Sequence, residues 1–230
     1  MTTATQLRQA AVDLASLAQY EIDLLDLDRL STDLLRDTLI YALPLIADKY
    51  GSAAAALSAD WYDDMRFEAG VGGRFRAVPA QLPTLERFEK LAVWAIDPLF
   101  RLNDEGEPAP DAMDLVRSKV NGGIQRVVMD QSRLTIVNST QIDPDAKGWK
   151  RIGVGHNCDF CNMLISRGAV YSGSGVTFRS HDRCNCSAAP TWDENVRLVT
   201  DEPYRQSKRR RSDSTKAADN KRARAYMESM

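Results

Sequence analysis

The sequence predicts an α+β protein: a mainly helical N-terminal domain, a small α+β C-terminal domain holding a Cys/His cluster, and a basic tail. Three observations predict it. Apolar residues recur at helical spacing from the N-terminus to about Thr140. After Asp143-Pro144 the character changes to short runs separated by glycine turns. All four cysteines and both histidines fall in one 31-residue window, His156 to Cys186.

Residues 5 to 30 read as an amphipathic helix through Leu7, Ala11, Leu14, Leu17, Ala18 and Leu25. Ser31 or Thr32 caps a second helix, with Asp33 in its first turn. That helix carries Leu34, Leu35, Leu39, Ala42 and Ile46 and ends near Tyr50-Gly51, with a kink or break at Pro44. A third, alanine-rich helix runs from Ser52 to Glu68 and stops at Gly70. Gly72-Gly73 and Pro79 mark a loop with two exposed arginines, Arg74 and Arg76. Its glycines lack the Gly-Lys-Ser/Thr ending of a phosphate loop. Thr84 precedes a fourth helix through Phe88, Leu91, Trp94 and Ala95, interrupted at Asp97-Pro98.

Residues 1–102 thus form the helical domain, and 103–110 (NDEGEPAP) have linker composition. Residues 111–200 form the second domain. It opens on a long helix, Asp111 to about Thr140, which Gly122-Gly123 weakens locally. A strand over Trp149–Val154, a short helix over Asp159–Arg167, a Gly173-Ser174-Gly175 turn and strands near Val176–Arg179 and Ala188–Trp192 follow. The carboxylates of Asp60, Asp63, Asp64 and Glu68 read as a solvated helix face, and Trp61, Trp94, Trp149 and Trp192 as core.

Composition is that of a globular protein, 43% hydrophobic and 27% charged. The longest apolar run, Leu39 to Ala47, is too short to span a bilayer, and the N-terminus shows no signal peptide. A cytoplasmic origin is expected, where thiols stay reduced and four cysteines favour metal or catalysis over disulfides.

The window reads His156-x-Cys158-x-x-Cys161, then His181-x-x-Cys184-x-Cys186. Zinc takes four thiolate or imidazole ligands in a tetrahedron, and C-x-x-C is a two-ligand knuckle. His181, Cys184 and Cys186 compete for the two places beside Cys158 and Cys161, with His156 as an outside candidate; the preferred set is Cys158, Cys161, His181 and either Cys184 or Cys186. Two other readings stay open. One is a packed or redox-pairing cysteine cluster without metal. The other is a catalytic thiol, Cys184 or Cys186, with His181 or His156 as base and Asp182 or Asp159 orienting the imidazole. A serine nucleophile at Ser172 or Ser174 is the weakest arrangement, because such turns mostly serve as turns.

The net charge of −2 is segregated. Residues 203–225 carry nine basic side chains against Asp213 and Asp219, so this stretch is +7 and the remainder −9. From residue 201 the tail reads as disordered, or as a helix formed only on a partner. Lys208, Arg209, Arg210 and Arg211 suit phosphate contact by charge alone, without base specificity, or docking on an acidic protein surface.

The stretch from Gly148 to Trp192 resembles the C-terminal signature of the Mu F-like minor head proteins of tailed bacteriophages: Cys158-x-x-Cys161, Leu164 with Gly168, then His181-x-x-Cys184-x-Cys186. The helical half, with Ala53–Leu57 and Trp61-Tyr62-Asp63, is similar to the actinobacteriophage branch. The resemblance spans about residues 5–195. The family's Arg-Thr-Glu element has only a partial echo, Arg133-Leu-Thr135. The resemblance implies a minor capsid protein of head morphogenesis, made in the host cytoplasm and carried in the virion head. Its expected partners are the portal, scaffold or major capsid protein, with packaged DNA at the tail and no membrane. Relatives labelled capsid maturation protease supply the competing expectation, an enzyme that processes capsid or scaffold protein.

Overall fold

The computed structural model describes residues 2–103, 106–153, 159–166, 168, 170–172, 178, 180, 183–196, 198 and 199. Its elements are α1 (Ala4–Asp23), α2 (Thr32–Glu68), α3 (Leu85–Ile96), α4 (Ala112–Ile142), β1 (Gly148–Ile152), α5 (Asp159–Ser166), β2 (Val170–Tyr171), β3 (Ser187–Thr191) and β4 (Leu198–Val199). The protein is α+β with a helical N-terminal half, as its sequence predicts.

A capping box opens α1: the Thr3 hydroxyl accepts from Gln6 N at 3.2 Å, and the Gln6 side chain accepts from Thr3 N at 2.7 Å. The helix ends earlier than expected. Asp26 takes a left-handed conformation, φ 48°, and a 3-10 turn at Leu27–Arg29 follows.

The expected pair of helices meeting near Gly51 is instead one 37-residue helix, α2, with Pro44 inside it. Proline in a helix costs roughly 3 kcal/mol. Burying each of the flanking Leu39, Leu43 and Ile46 returns about 1.5–3 kcal/mol, so packing overrides the local signal. Gly51 also has a packing role, because a Cβ there would lie 3.1 Å from Gln131 Cγ.

Helix α3 stops where expected, and Asp97–Phe100 continues as a 3-10 turn. Gly122-Gly123 does not interrupt the 31-residue α4. Both glycines are buried against neighbours, and a Cβ on Gly123 would lie 2.5 Å from Leu91 Cδ1. Close approach of α3 through Leu91 sets Gly123, not helix breaking.

The sheet has strand order β3-β1-β2-β4. β1 pairs antiparallel with β3 (Trp149↔Pro190) and with β2 (Trp149↔Tyr171), while β2 and β4 are parallel. Pro190 is tolerated because β3 is an edge strand. Of the strand expected over 176–179, Phe178 alone is described, and it lies outside any strand. The Gly173-Ser174-Gly175 turn lies outside the described residues.

Two apolar clusters hold these elements. The first joins α1 to α4 through residues such as Ala18, Leu39, Leu43, Ala92, Val120 and Ile124. The second gathers Trp61, Tyr62, Ile136, Trp149, Tyr171 and Phe178 around the cysteines. Helix α4 contributes to both. A buried polar clamp also ties the halves: Asp143 accepts from Arg66 Nε (3.0 Å), Tyr62 Oη (3.1 Å) and Trp192 Nε1 (3.0 Å).

Candidate functional site: a buried cysteine cluster

Cys161 sits in the first turns of α5, and Cys184 and Cys186 lie on the extended segment that leads into β3. Two residues apart on extended chain, Cys184 and Cys186 share a face. Both face Cys161. The Sγ–Sγ distances are 3.3 Å (Cys161–Cys184), 3.5 Å (Cys161–Cys186) and 2.9 Å (Cys184–Cys186). All three side chains are buried. None of these distances is that of a disulfide, about 2.05 Å. A tetrahedron with zinc–sulfur bonds of about 2.3 Å has edges of roughly 3.8 Å, and the trio, with separations of 3.3, 3.5 and 2.9 Å, is a contracted form of one face of such a site.

The fit is good on chemistry as well. Three sulfurs from two separate segments converge on one point and could hold a metal ion. Cys158, three residues before Cys161 in the C-x-x-C motif, is the sequence's fourth cysteine. Cys158, His156 and His181 lie outside the described residues, as do Asp182 of the catalytic reading and Lys208–Arg211 of the tail.

Two arginines surround the trio. Arg133 of α4 is fully buried and donates from Nε to Cys186 O (2.9 Å) and from Nη2 to Cys184 O (2.5 Å). Its Nη1 reaches Asp130 Oδ1 at 2.7 Å, and Ser180 Oγ donates to the same oxygen at 2.8 Å. Arg151 of β1 donates to Cys186 Sγ at 3.0 Å. The guanidinium carbons lie 3.9 Å (Arg151) and 5.2 Å (Arg133) from the Phe178 ring centroid. Hydrogen bonds from the Cys161 and Cys184 thiols, then the two arginine charges, hold the Cys186 thiol well below its usual range. Cys161 is pushed up by its two sulfur neighbours and by burial. For Cys184 the hydrogen bond from Cys161 acts downward, but Cys186 and burial outweigh it, and the thiol is raised. Two guanidiniums beside Cys186 favour its thiolate, and a metal ion would supply the further positive charge that ionisation of the whole trio needs.

Further contacts fix the cysteine segment on the helices. Arg8 Nε donates to Asn185 O at 2.9 Å, and Gln125 Nε2 donates to Asn185 Oδ1 at 2.8 Å. Neither arginine of the cluster belongs to the Cys/His pattern that marks the site in the sequence. The signal existed: Arg133 shares the helix face of Met129, Ile136 and Val137, and Arg151 shares the strand face of Trp149. A charged residue at a core position of each pattern marks a buried anion or polar site.

Among the described residues, no helix is long and apolar enough to cross a membrane. No curated protein and no solved structure matches the chain. The sequence profile of the VG15 protein family matches residues 1–211, nearly the whole chain, and the protein belongs to that family of phage proteins.

Proposed function

We propose that this phage protein is a Mu F-like minor capsid protein that acts in head morphogenesis near the portal. In this reading it assembles in the host cytoplasm and stays in the virion head. Portal, scaffold or major capsid protein is its contact. Membership of the VG15 family across residues 1–211 supports the phage setting, and the Mu F-like signature supports the role.

The cysteine cluster is a structural zinc site in this proposal. Zinc would be held by Cys158, Cys161, Cys184 and Cys186, with His181 as the substitute fourth ligand. It would staple α5 to the segment entering β3, in a sheet too small to be held by its own core. The observation that carries this reading is the convergence of three buried sulfurs within 3.5 Å. The same observation disfavours a cysteine protease. Cys186 has the depressed thiol but is fully buried, and its sulfur is surrounded by two sulfurs and an arginine, leaving no approach for a peptide carbonyl.

Metal analysis of the purified, reduced protein tests it, together with native alkylation. About one zinc per chain with protected cysteines is the expected result. No metal and one fast-reacting cysteine would replace the structural site with an activated thiolate. Cross-linking of intact particles tests placement: links to the portal are expected, and absence of the protein from particles would end the capsid reading.

The tail supplies DNA contact in this proposal through Lys208, Arg209, Arg210 and Arg211. Deleting residues 203–230 should abolish salt-dependent binding to duplex DNA in a filter or anisotropy assay. An unchanged affinity and salt slope would remove DNA from the partners.

A further inference from the structure

Helices α3 and α4 pack side by side but leave a groove between them of about 250 Å³. Its floor is apolar: Phe88 and Leu91 from α3, Gly123 and Val127 from α4. Because Gly123 lacks a side chain, Leu91 sits against the α4 backbone. Trp94 forms one wall. Expected in the core, it is instead 44% exposed, whereas Trp61 and Trp149 are buried. Three cations line the groove, Arg87, Lys90 and Arg126, and among the described residues no carboxylate does. Lys119 stands 4.5 Å from the Trp94 ring and adds a fourth positive charge at that end. The nearest acids sit outside the lining. Glu86 pairs with Lys90 at 2.5 Å, Asp130 lies 3.7 Å from Arg126, and Asp97 lies 3.7 Å from Lys119.

An apolar floor beneath a positive rim, in a protein whose net charge is negative, is a local reversal of the surface. We propose that this groove docks an acidic peptide segment of a partner protein, with one leucine- or phenylalanine-sized side chain on the floor and carboxylates on Arg87, Lys90 and Arg126. Charge complementarity selects the segment, and the exposed indole supplies rigid apolar contact. A nucleic-acid backbone would meet the cations but leave the floor uncovered, so the peptide is favoured. The inference is independent of the zinc site.

The test is selection from a displayed library of random dodecapeptides on the full chain, followed by titration of the selected peptides. Trp94 is exposed and sits in the groove, so its fluorescence reports binding in the wild type and the charge variant, and calorimetry reports it in Trp94→Ala. The expected consensus combines Asp or Glu with one large apolar residue. Its affinity should fall at least about tenfold in Arg87→Glu/Lys90→Glu and in Trp94→Ala, and fall with added salt. All three residues are exposed, and unchanged thermal unfolding of each variant separates lost docking from lost fold. No selection, a consensus without acids, or a selected peptide indifferent to both variants overturns the proposal. Duplex DNA binding that depends on Arg87 and Lys90, without peptide selection, overturns it in favour of a phosphate site.

Discussion

Replacing Arg133 by methionine is expected to cost about 3–5 kcal/mol of folding stability, the scale for removing one member of a buried ionic network. This is a large share of the roughly 5–15 kcal/mol that holds a domain together. The reason lies in what the guanidinium touches. It satisfies the carbonyls of Cys184 and Cys186 and pairs with Asp130, all from a fully buried position. Each carbonyl left without a donor costs about 1–3 kcal/mol. Lysine at 133 keeps the charge but cannot reach three acceptors as a fork, so Arg133→Lys should fall between the two. Urea unfolding gives the energies. Native alkylation gives a second reading: Cys184 and Cys186 should react faster in Arg133→Met, because the segment that carries them into β3 loses its anchor on α4. A loss below about 1 kcal/mol, with unchanged thiol protection, would mean that α4 does not hold the cysteine segment.

Asp143→Asn should be comparably damaging, by about 3–5 kcal/mol at neutral pH. The Asp143 side chain is fully buried, and Arg66, buried beside it, would lose its main counter-charge and keep Asp145 Oδ2 at 2.5 Å and the carbonyls of Val71 and Gly72. Burial alone would raise the Asp143 carboxyl. Hydrogen bonds from Arg66, Trp192, the Asp145 backbone and Tyr62 overcome it and hold the pKa below the ordinary carboxylate value. The sign of the pH dependence follows. A carboxyl depressed in the folded state contributes stability that is complete above its unfolded pKa of about 3.9 and is lost as pH falls through the folded value. The stability gap between wild type and Asp143→Asn should therefore be constant from neutral pH down to about pH 5 and narrow below about pH 4. Unfolding midpoints measured across that range check it, and a gap that widens with acid would show the carboxyl not to be the charged partner of Arg66.

Much of this structure was legible in the residues. The helical character of the N-terminal half, the position of the first strand and of α5, and the crowding of cysteines into one window follow from apolar period, glycine stops and Cys/His spacing. Pro44 and Gly51 misled because their signals are local, whereas Leu39, Leu43 and Ile46 bury against elements far away in sequence. Asp26 ended α1 early through a left-handed conformation that apolar periodicity does not encode. The two-residue strands β2 and β4 are too short to show any alternation. Periodicity places Trp94 beside Leu91 on α3, a core position by spacing, but it cannot say which stripe the neighbours cover.

By itself the sequence determined the fold class, the negative body with its basic tail, and the concentration of soft ligands in one window. Those are properties of composition and near-neighbour spacing, carried by the chain wherever it goes. Tertiary structure alone decided that α4 serves both apolar clusters, that Cys161 meets Cys184 and Cys186, and that Arg133 and Arg151 close around them. Each of those joins residues more than twenty positions apart. The contacts form only because burial of the intervening apolar faces offsets the entropy of bringing distant segments together.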